Sequence, residues 1–229
     1  MSASECGSQL TSLGKSIKIT PFKGKSSRMA MVESADARQL AYLSKVEVER
    51  FFDAIPASRS RDRLLFDVIY RYGLRRIEAA SIRREHLSDG RIWISRAKGG
   101  VSGEYPIHPI TRRLLWTYLA ERVEDDSPYL FATRQSRTQP MSASTIYQLF
   151  VKYADDAHLP ADRRHPHALR HSIAVHLMNA GWDASDVQDW LGHRDIASTM
   201  IYAAVTNRRR EAKYEEALLS DEIAANNAS

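Results

Sequence analysis

The chain has 229 residues, 43% of them hydrophobic, and its 33 Lys and Arg against 28 Asp and Glu give a net charge of +5 and a pI near 9.3. A globular fold of one large or two small domains is the default, and the charge permits an anionic partner without demanding one. The only cysteine, Cys6, excludes an intrachain disulfide and a cysteine metal site, and no apolar run or signal-like N-terminus speaks for a membrane. The expectation is a soluble, cytoplasmic protein.

Residues 1–38 are rich in Ser, Gly and Lys. Lys15, Lys18, Lys23, Lys25 and Arg28 occur there without an acid between Thr11 and Ala30, which reads as a flexible basic arm. A packed domain, assigned to residues 39–219, begins at "YLSKVEVERFFDAI". Ser44 and Glu47 form a capping box, and Val48, Phe51, Phe52 and Ile55 fall on one helical face. A second helix turns Leu65, Val68, Ile69 and Tyr72 inward and stops at Gly73, and "RRIEAASIRR" starts a third after a tight turn. "RIWIS" alternates as a strand does, "KGGVSG" supplies a turn and "EYPIHP" returns, so residues 91–108 are expected to form a β-hairpin or small sheet edge. Helical periodicity resumes in "TRRLLWTYLAERV", in "SASTIYQLFVKYADDA" and from Ala168 to Ala180, with Gly181 as C-cap. Asp183 then caps a short helix carrying Val187, Trp190 and Leu191. A last helix, "RRREAKYEEALLSDE", follows Tyr202, and residues 220–229 form a polar tail. The fold class expected is mainly α with a small antiparallel sheet.

The chemistry concentrates at turns. Arg75 starts a helix, Lys98 lies at the hairpin tip, and Arg170 and His193 flank helix ends within residues 165–202, a stretch that holds five of the eight histidines. Guanidinium forks pair with phosphate, so two arginines, a lysine and two histidines describe an oxyanion site, with Tyr202 as the obvious nucleophile. His167 and His171 have the i, i+4 spacing of zinc ligands but lack the intervening glutamate and a third ligand, so no metal is assigned. His165, His171 and His176 read singly as packing or surface residues. Burial is expected to explain Trp93, Trp116, Trp182 and Trp190, and Tyr70, Tyr72, Tyr147 and Tyr153 read as core aromatics. Arg83 and Arg84 read as solvated.

Four segments resemble, in order and spacing, those of the tyrosine recombinases, or phage integrases. "GLRRIE" resembles their first arginine motif, with Arg75 catalytic and Glu78 supporting it. "RAKGG" is similar to the hairpin lysine segment and nominates Lys98, and "HPHALRH" resembles the His-x-x-Arg box, giving His167 and Arg170 with His171 following. "LGHRDIASTMIY" has the family's nine-residue step from His193 to Tyr202. The resemblance covers about residues 40–219 and looks most like the small fimbrial phase-switch recombinases. Two departures stand out. Ile77 replaces the small residue usual before the motif glutamate, and residues 1–38 are too short and polar for the core-binding domain that most relatives carry.

The resemblance implies a tyrosine recombinase catalytic domain that cleaves and rejoins DNA through a 3′-phosphotyrosine on Tyr202, without metal, ATP or other cofactor. Arg75 and Arg170 would stabilise the phosphoryl oxygens with help from His193, His167 would take the phenolic proton, and Lys98 would protonate the leaving 5′ oxygen. Implied partners are double-stranded recombination sites, three further copies in a tetramer and accessory DNA-bending proteins. Arg76 and the arm would add phosphate contacts. A bacterial, nucleoid-associated or mobile-element setting fits. Inversion, integration, excision and resolution stay open. Two rivals remain: a helix-turn-helix regulator, suggested by "AVHLMNAGWDASDVQDWLGH", and strand relaxation of the type IB topoisomerase kind.

Overall fold

The computed structural model describes residues 40–122, 126–133, 138–206 and 214. The expected arm, and the helix expected over residues 208–222 apart from Tyr214, lie outside them. The element order is α1 (Lys45–Asp53), α2 (Ser60–Arg71), α3 (Arg76–Ala80), β1 (Leu87–Ser88), β2 (Arg91–Ile94), β3 (Gly103–Pro106), α4 (Pro109–Ala120), α5 (Ala143–Asp156), α6 (His167–Asn179) and α7 (Ala184–Leu191). Residues 197–206 are also helical and are called α8. No described helix is long and apolar enough to cross a membrane.

The expected capping box starts α1: the Ser44 hydroxyl accepts from the Glu47 amide at 3.3 Å, and the Glu47 carboxylate accepts from the Ser44 amide at 2.8 Å. That entry fixes the face that turns Val48, Phe51 and Ile55 into the core, where the Phe51 ring lies 5.3 Å from Phe66 of α2 and 4.8 Å from Phe150 of α5. The central helix is α2, which packs on α4 and α6. Its two buried carboxylates are both partnered, Asp62 by the Tyr153 hydroxyl at 2.8 Å and Asp67 by Arg71 at 2.7 Å and by Thr111.

The sheet is antiparallel in the order β1-β2-β3, with Ile92 opposite Tyr105 and Trp93 opposite Glu104. Strand β1 is an addition to the expected hairpin. Strand alternation buries Ile92, Ile94 and Tyr105 and leaves Arg91 and Trp93 outside. Burial therefore does not explain three of the tryptophans: Trp93, Trp116 and Trp182 are 41%, 75% and 38% exposed. Of the four, Trp190 is the one packed against the core. Tyr147 is likewise 42% exposed, beneath the Arg76 guanidinium at 5.4 Å, and is not a core aromatic. A second, smaller apolar cluster joins Ala174 and Val175 of α6, Val187 and Leu191 of α7, and Tyr202 of α8.

Candidate active site

Arg75 owes its place to the way α2 ends. The amide of Leu74 bonds back to the Ile69 carbonyl at 2.9 Å and that of Gly73 to Tyr70 at 3.2 Å, the paired bonds of a Schellman ending. Gly73 carries the φ of +57° this requires, and a Cβ there would lie 2.3 Å from Leu191 Cδ2. Arg75 then precedes α3. Its amide donates to Glu78 Oε2 and its Nη1 to Oε1, at 2.8 and 2.7 Å. Ile77 is 47% exposed and leaves this register intact.

Three guanidiniums surround the fully buried Glu78 carboxylate: Arg75 at 2.7 Å, Arg96 at 3.3 Å and Arg170 at 3.8 Å. Burial pushes the Glu78 carboxyl up, but the Arg75 amide and guanidinium, the Ala97 amide and the charge of Arg96 hold it below its ordinary range. It stays ionised, and the cluster keeps an excess of positive charge. Arg170, on the first turn of α6, is 2% exposed; it donates to the Leu191 carbonyl at 3.1 Å and to that of Gly73. Burial, then repulsion by Arg75 and Arg96, brings its pKa to about 10, so it remains cationic at neutral pH.

The helix pair α6 and α7 delivers the histidines. His193 follows α7, its amide bonded to the Gln188 carbonyl at 3.0 Å and its Nδ1 2.9 Å from Thr199 Oγ1. Burial and the charges of Arg170, Arg75 and Arg96 lower its pKa to about 4. Tyr202 projects from α8 into the second apolar cluster, 2% exposed, and its hydroxyl meets Nδ1 of His171 at 2.9 Å. His171, read singly as a packing or surface residue, is half-buried and in contact with the candidate nucleophile. His167, expected to take the phenolic proton, is exposed one turn earlier, its ring 5.6 Å from that of His171. Partial loss of solvent, then Arg170, Arg75, His165 and Arg76, lower the His167 pKa, and burial, then His167, His165, Arg170 and His193, lower that of His171 to about 4. Burial pushes the Tyr202 phenol up to about 12 against the pull of Arg170 and Arg75. In this state the pair is a neutral phenol beside a neutral imidazole. His176 does behave as a packing residue, 2.8 Å from the Tyr70 hydroxyl.

Lys98 stands exposed at the hairpin tip with a φ of +55°, followed by Gly99 at +73°. Positive φ at two successive residues, closed by the Gly100 amide on the Ala97 carbonyl at 3.2 Å, gives the tight reversal such turns need. Arg76 is half-buried, with Nη1 3.3 Å from the Ala143 carbonyl. Lys15, Lys18, Lys23, Lys25 and Arg28 lie outside the described residues. Among those described, no three His, Cys, Asp or Glu side chains converge as a metal would require. Sequence reasoning missed Arg96. The signal was present: continuing the inward positions Ile92 and Ile94 by two places puts a charged residue on the buried face.

Arginines and histidines gather near a buried tyrosine on a helical domain with one small sheet, an arrangement able to bind and polarise an oxyanion. The profile described as the phage integrase family matches residues 41–209, and the chain belongs to that family. It is 32% identical over 184 residues to tyrosine recombinase XerA of Pyrococcus furiosus, covering 79% of this chain and 63% of the relative. Against tyrosine recombinase XerD of Caulobacter vibrioides the identity is 33%, over 71% of this chain and 57% of the relative. The chain thus spans less than two thirds of the length of these relatives. Among solved structures, XerA recombinase superposes with a TM-score of 0.64 at 25% identity, over 75% of this chain and 64% of that one. XerH site-specific recombinase in a post-cleavage complex with a palindromic difH substrate gives 0.66 at 25%, over 77% and 53%.

Proposed function

We propose that this chain is the catalytic part of a site-specific DNA recombinase that cuts and rejoins strands through a 3′-phosphotyrosine. The observation that carries the reading is the convergence of Arg75, Arg170, His193 and Tyr202, from four separated segments, in one positively charged cluster organised by Glu78. Charge that builds on the non-bridging oxygens of an attacked phosphodiester is what such donors stabilise, each by roughly a hundred- to a thousandfold. In the step, Tyr202 Oη bonds to phosphorus and the bond from phosphorus to the 5′ oxygen breaks. The phenolic proton passes to an imidazole: His171 is in contact, His167 is next to it, and both are neutral at pH 7. The departing oxygen takes its proton from the Lys98 ammonium. Energy stored in the phosphotyrosine allows a different 5′ hydroxyl to rejoin without ATP or a metal.

DNA binding has to uncover the site, because Arg170 and Tyr202 are each 2% exposed. Movement of α8 away from His171 would free the phenol and open the path to Arg170 together. The partners are double-stranded recombination sites, further copies in a tetramer and DNA-bending accessory proteins. The basic arm and Arg76 would supply phosphate contacts that do not depend on sequence. The XerH complex with a difH substrate supports a DNA partner of this kind.

The test is incubation with end-labelled DNA from the gene's own neighbourhood, nicked to trap the adduct, in EDTA without ATP. Denaturing electrophoresis is expected to show a protein-linked strand for the wild type and none for Tyr202→Phe, while Arg170→Ala loses most cleavage. An adduct that persists in Tyr202→Phe removes Tyr202 as nucleophile. DNA binding with no adduct from any substrate would favour a non-enzymatic regulator.

A further inference from the structure

Arg96 is a wholly buried guanidinium that the reaction above does not use. Its Nη2 donates to the carbonyls of Tyr72 at 3.0 Å and Trp190 at 2.7 Å and lies 3.1 Å from the Tyr105 hydroxyl. Its Nη1 reaches the Gly73 carbonyl at 3.4 Å and Glu78 Oε2 at 3.3 Å. The carbonyls of Tyr72 and Gly73 follow the end of α2 and that of Trp190 is in the last turn of α7, so one cation caps the negative ends of two helices. Arg75 and His193 issue from those two ends.

The backbone around Arg96 is bound just as closely. Its amide donates to Ser102 Oγ at 2.9 Å, the Ala97 amide to Glu78 Oε1 at 3.1 Å, and the Val101 amide to the Gly192 carbonyl at 3.1 Å. Gly192 admits this contact: a Cβ on it would lie 2.6 Å from the Val101 oxygen and 2.8 Å from Arg96 Cγ. The Nε of Arg96 is buried without a hydrogen-bond partner among the described residues. An unpaired buried donor is a cost, and an apolar side chain would fill the space without it. The compensation is positional, because the clamp leaves Lys98 and Gly99 as a short free tip on a fixed base.

We propose that Arg96 is a positioning residue that holds the Lys98 hairpin against the turns carrying Arg75 and His193, and so sets where Lys98 delivers its proton. This rests on the role given to Lys98 above, and the experiment separates the two. Single-turnover cleavage is measured on a nicked substrate with the ordinary 5′ bridging oxygen and on one with sulfur there, since a thiolate leaves without being protonated. Lys98→Ala is expected to be slow on oxygen and restored on sulfur; without that restoration Lys98 is not the acid, and Arg96 has no such acid to position.

Arg96→Met is expected to lose on the order of 10- to 100-fold on oxygen, part of the ~10²–10⁴ that a placed proton donor contributes, and to come within about threefold of the wild type on sulfur. Gly100→Ala keeps the guanidinium but drives a Cβ to 2.8 Å from the Gly192 carbonyl, and is expected to show the same selective loss. It decides the matter where Arg96→Met does not fold. Equal losses on both substrates, or none on either, would overturn the proposal even with Lys98→Ala restored by sulfur.

Discussion

Glu78 holds together three cations that would otherwise repel one another. Its oxygens accept from the Arg75 amide and guanidinium and from Ala97 and Arg96, with Arg170 at 3.8 Å. Removing one partner of a buried charge network leaves the others uncompensated, so Glu78→Gln is expected to cost about 3–5 kcal/mol of stability in urea denaturation. Ile77→Ala, one residue away and 47% exposed, is expected to stay within about 0.5 kcal/mol of the wild type. Similar losses in both variants would mean that the turn, and not the carboxylate, organises the arginines. The pairing of Arg75 with Glu78 was legible through the resemblance of "GLRRIE" to a family motif, and a short motif can carry it because the contact is local, three residues apart at a helix start. The choice between His167 and His171 was not. One turn apart on α6, they share a face, and the placement of α8 decides which of them meets Tyr202.

At the scale of elements, the same α8 makes the nucleophile part of a core. Sequence periodicity placed a helix after Tyr202, whereas the described helix over residues 197–206 contains it and packs it with Val187 and Leu191 of α7. The hydroxyl then has His171 as its buried partner. Tyr202→Phe leaves that imidazole nitrogen unpaired and is expected to destabilise the DNA-free protein by about 1 kcal/mol. Binding of DNA that draws residue 202 out of the pocket no longer has to break this bond. The variant should therefore bind its site up to about fivefold more tightly than the wild type in anisotropy titrations, the factor that 1 kcal/mol corresponds to. Equal affinities, with the expected stability loss, would show that the pocket stays closed on DNA and that Tyr202 acts from where it now lies.

For the molecule as a whole, the helix order and the hairpin could be read from capping residues, periodicity and strand alternation, which are short-range signals. Exposure could not. Trp116 has the spacing of a packed residue, but whether a helix face is covered depends on which distant element reaches it, and none of the described elements covers this one. The pKa of each site histidine is likewise a property of the assembly. The pKa values of His171 and His193 fall to about 4 because burial disfavours their charged forms, helped at His171 by the neighbouring His167 and His165 and at His193 by Arg170, Arg75 and Arg96, whereas an unfolded histidine titrates near 6.5. Between these values the unfolded chain binds more protons than the folded one, so stability is full above about pH 6.5 and declines as pH falls toward 4. His86, His108 and His167 are lowered as well and add to the same trend. Glu47 and Glu78, held below the ordinary carboxylate value of 4.5, weaken the fold only in more acid solution, which separates the two effects. Thermal melts are expected to give a flat midpoint from pH 8 to pH 7 and a fall of more than about 3 °C by pH 4.5, the shift that one kcal/mol produces in a chain of this size. Substituting both His171 and His193 by Asn should flatten that slope. An unchanged slope in the double variant would place the acid sensitivity elsewhere and leave the two imidazoles free to carry charge at the site near neutral pH.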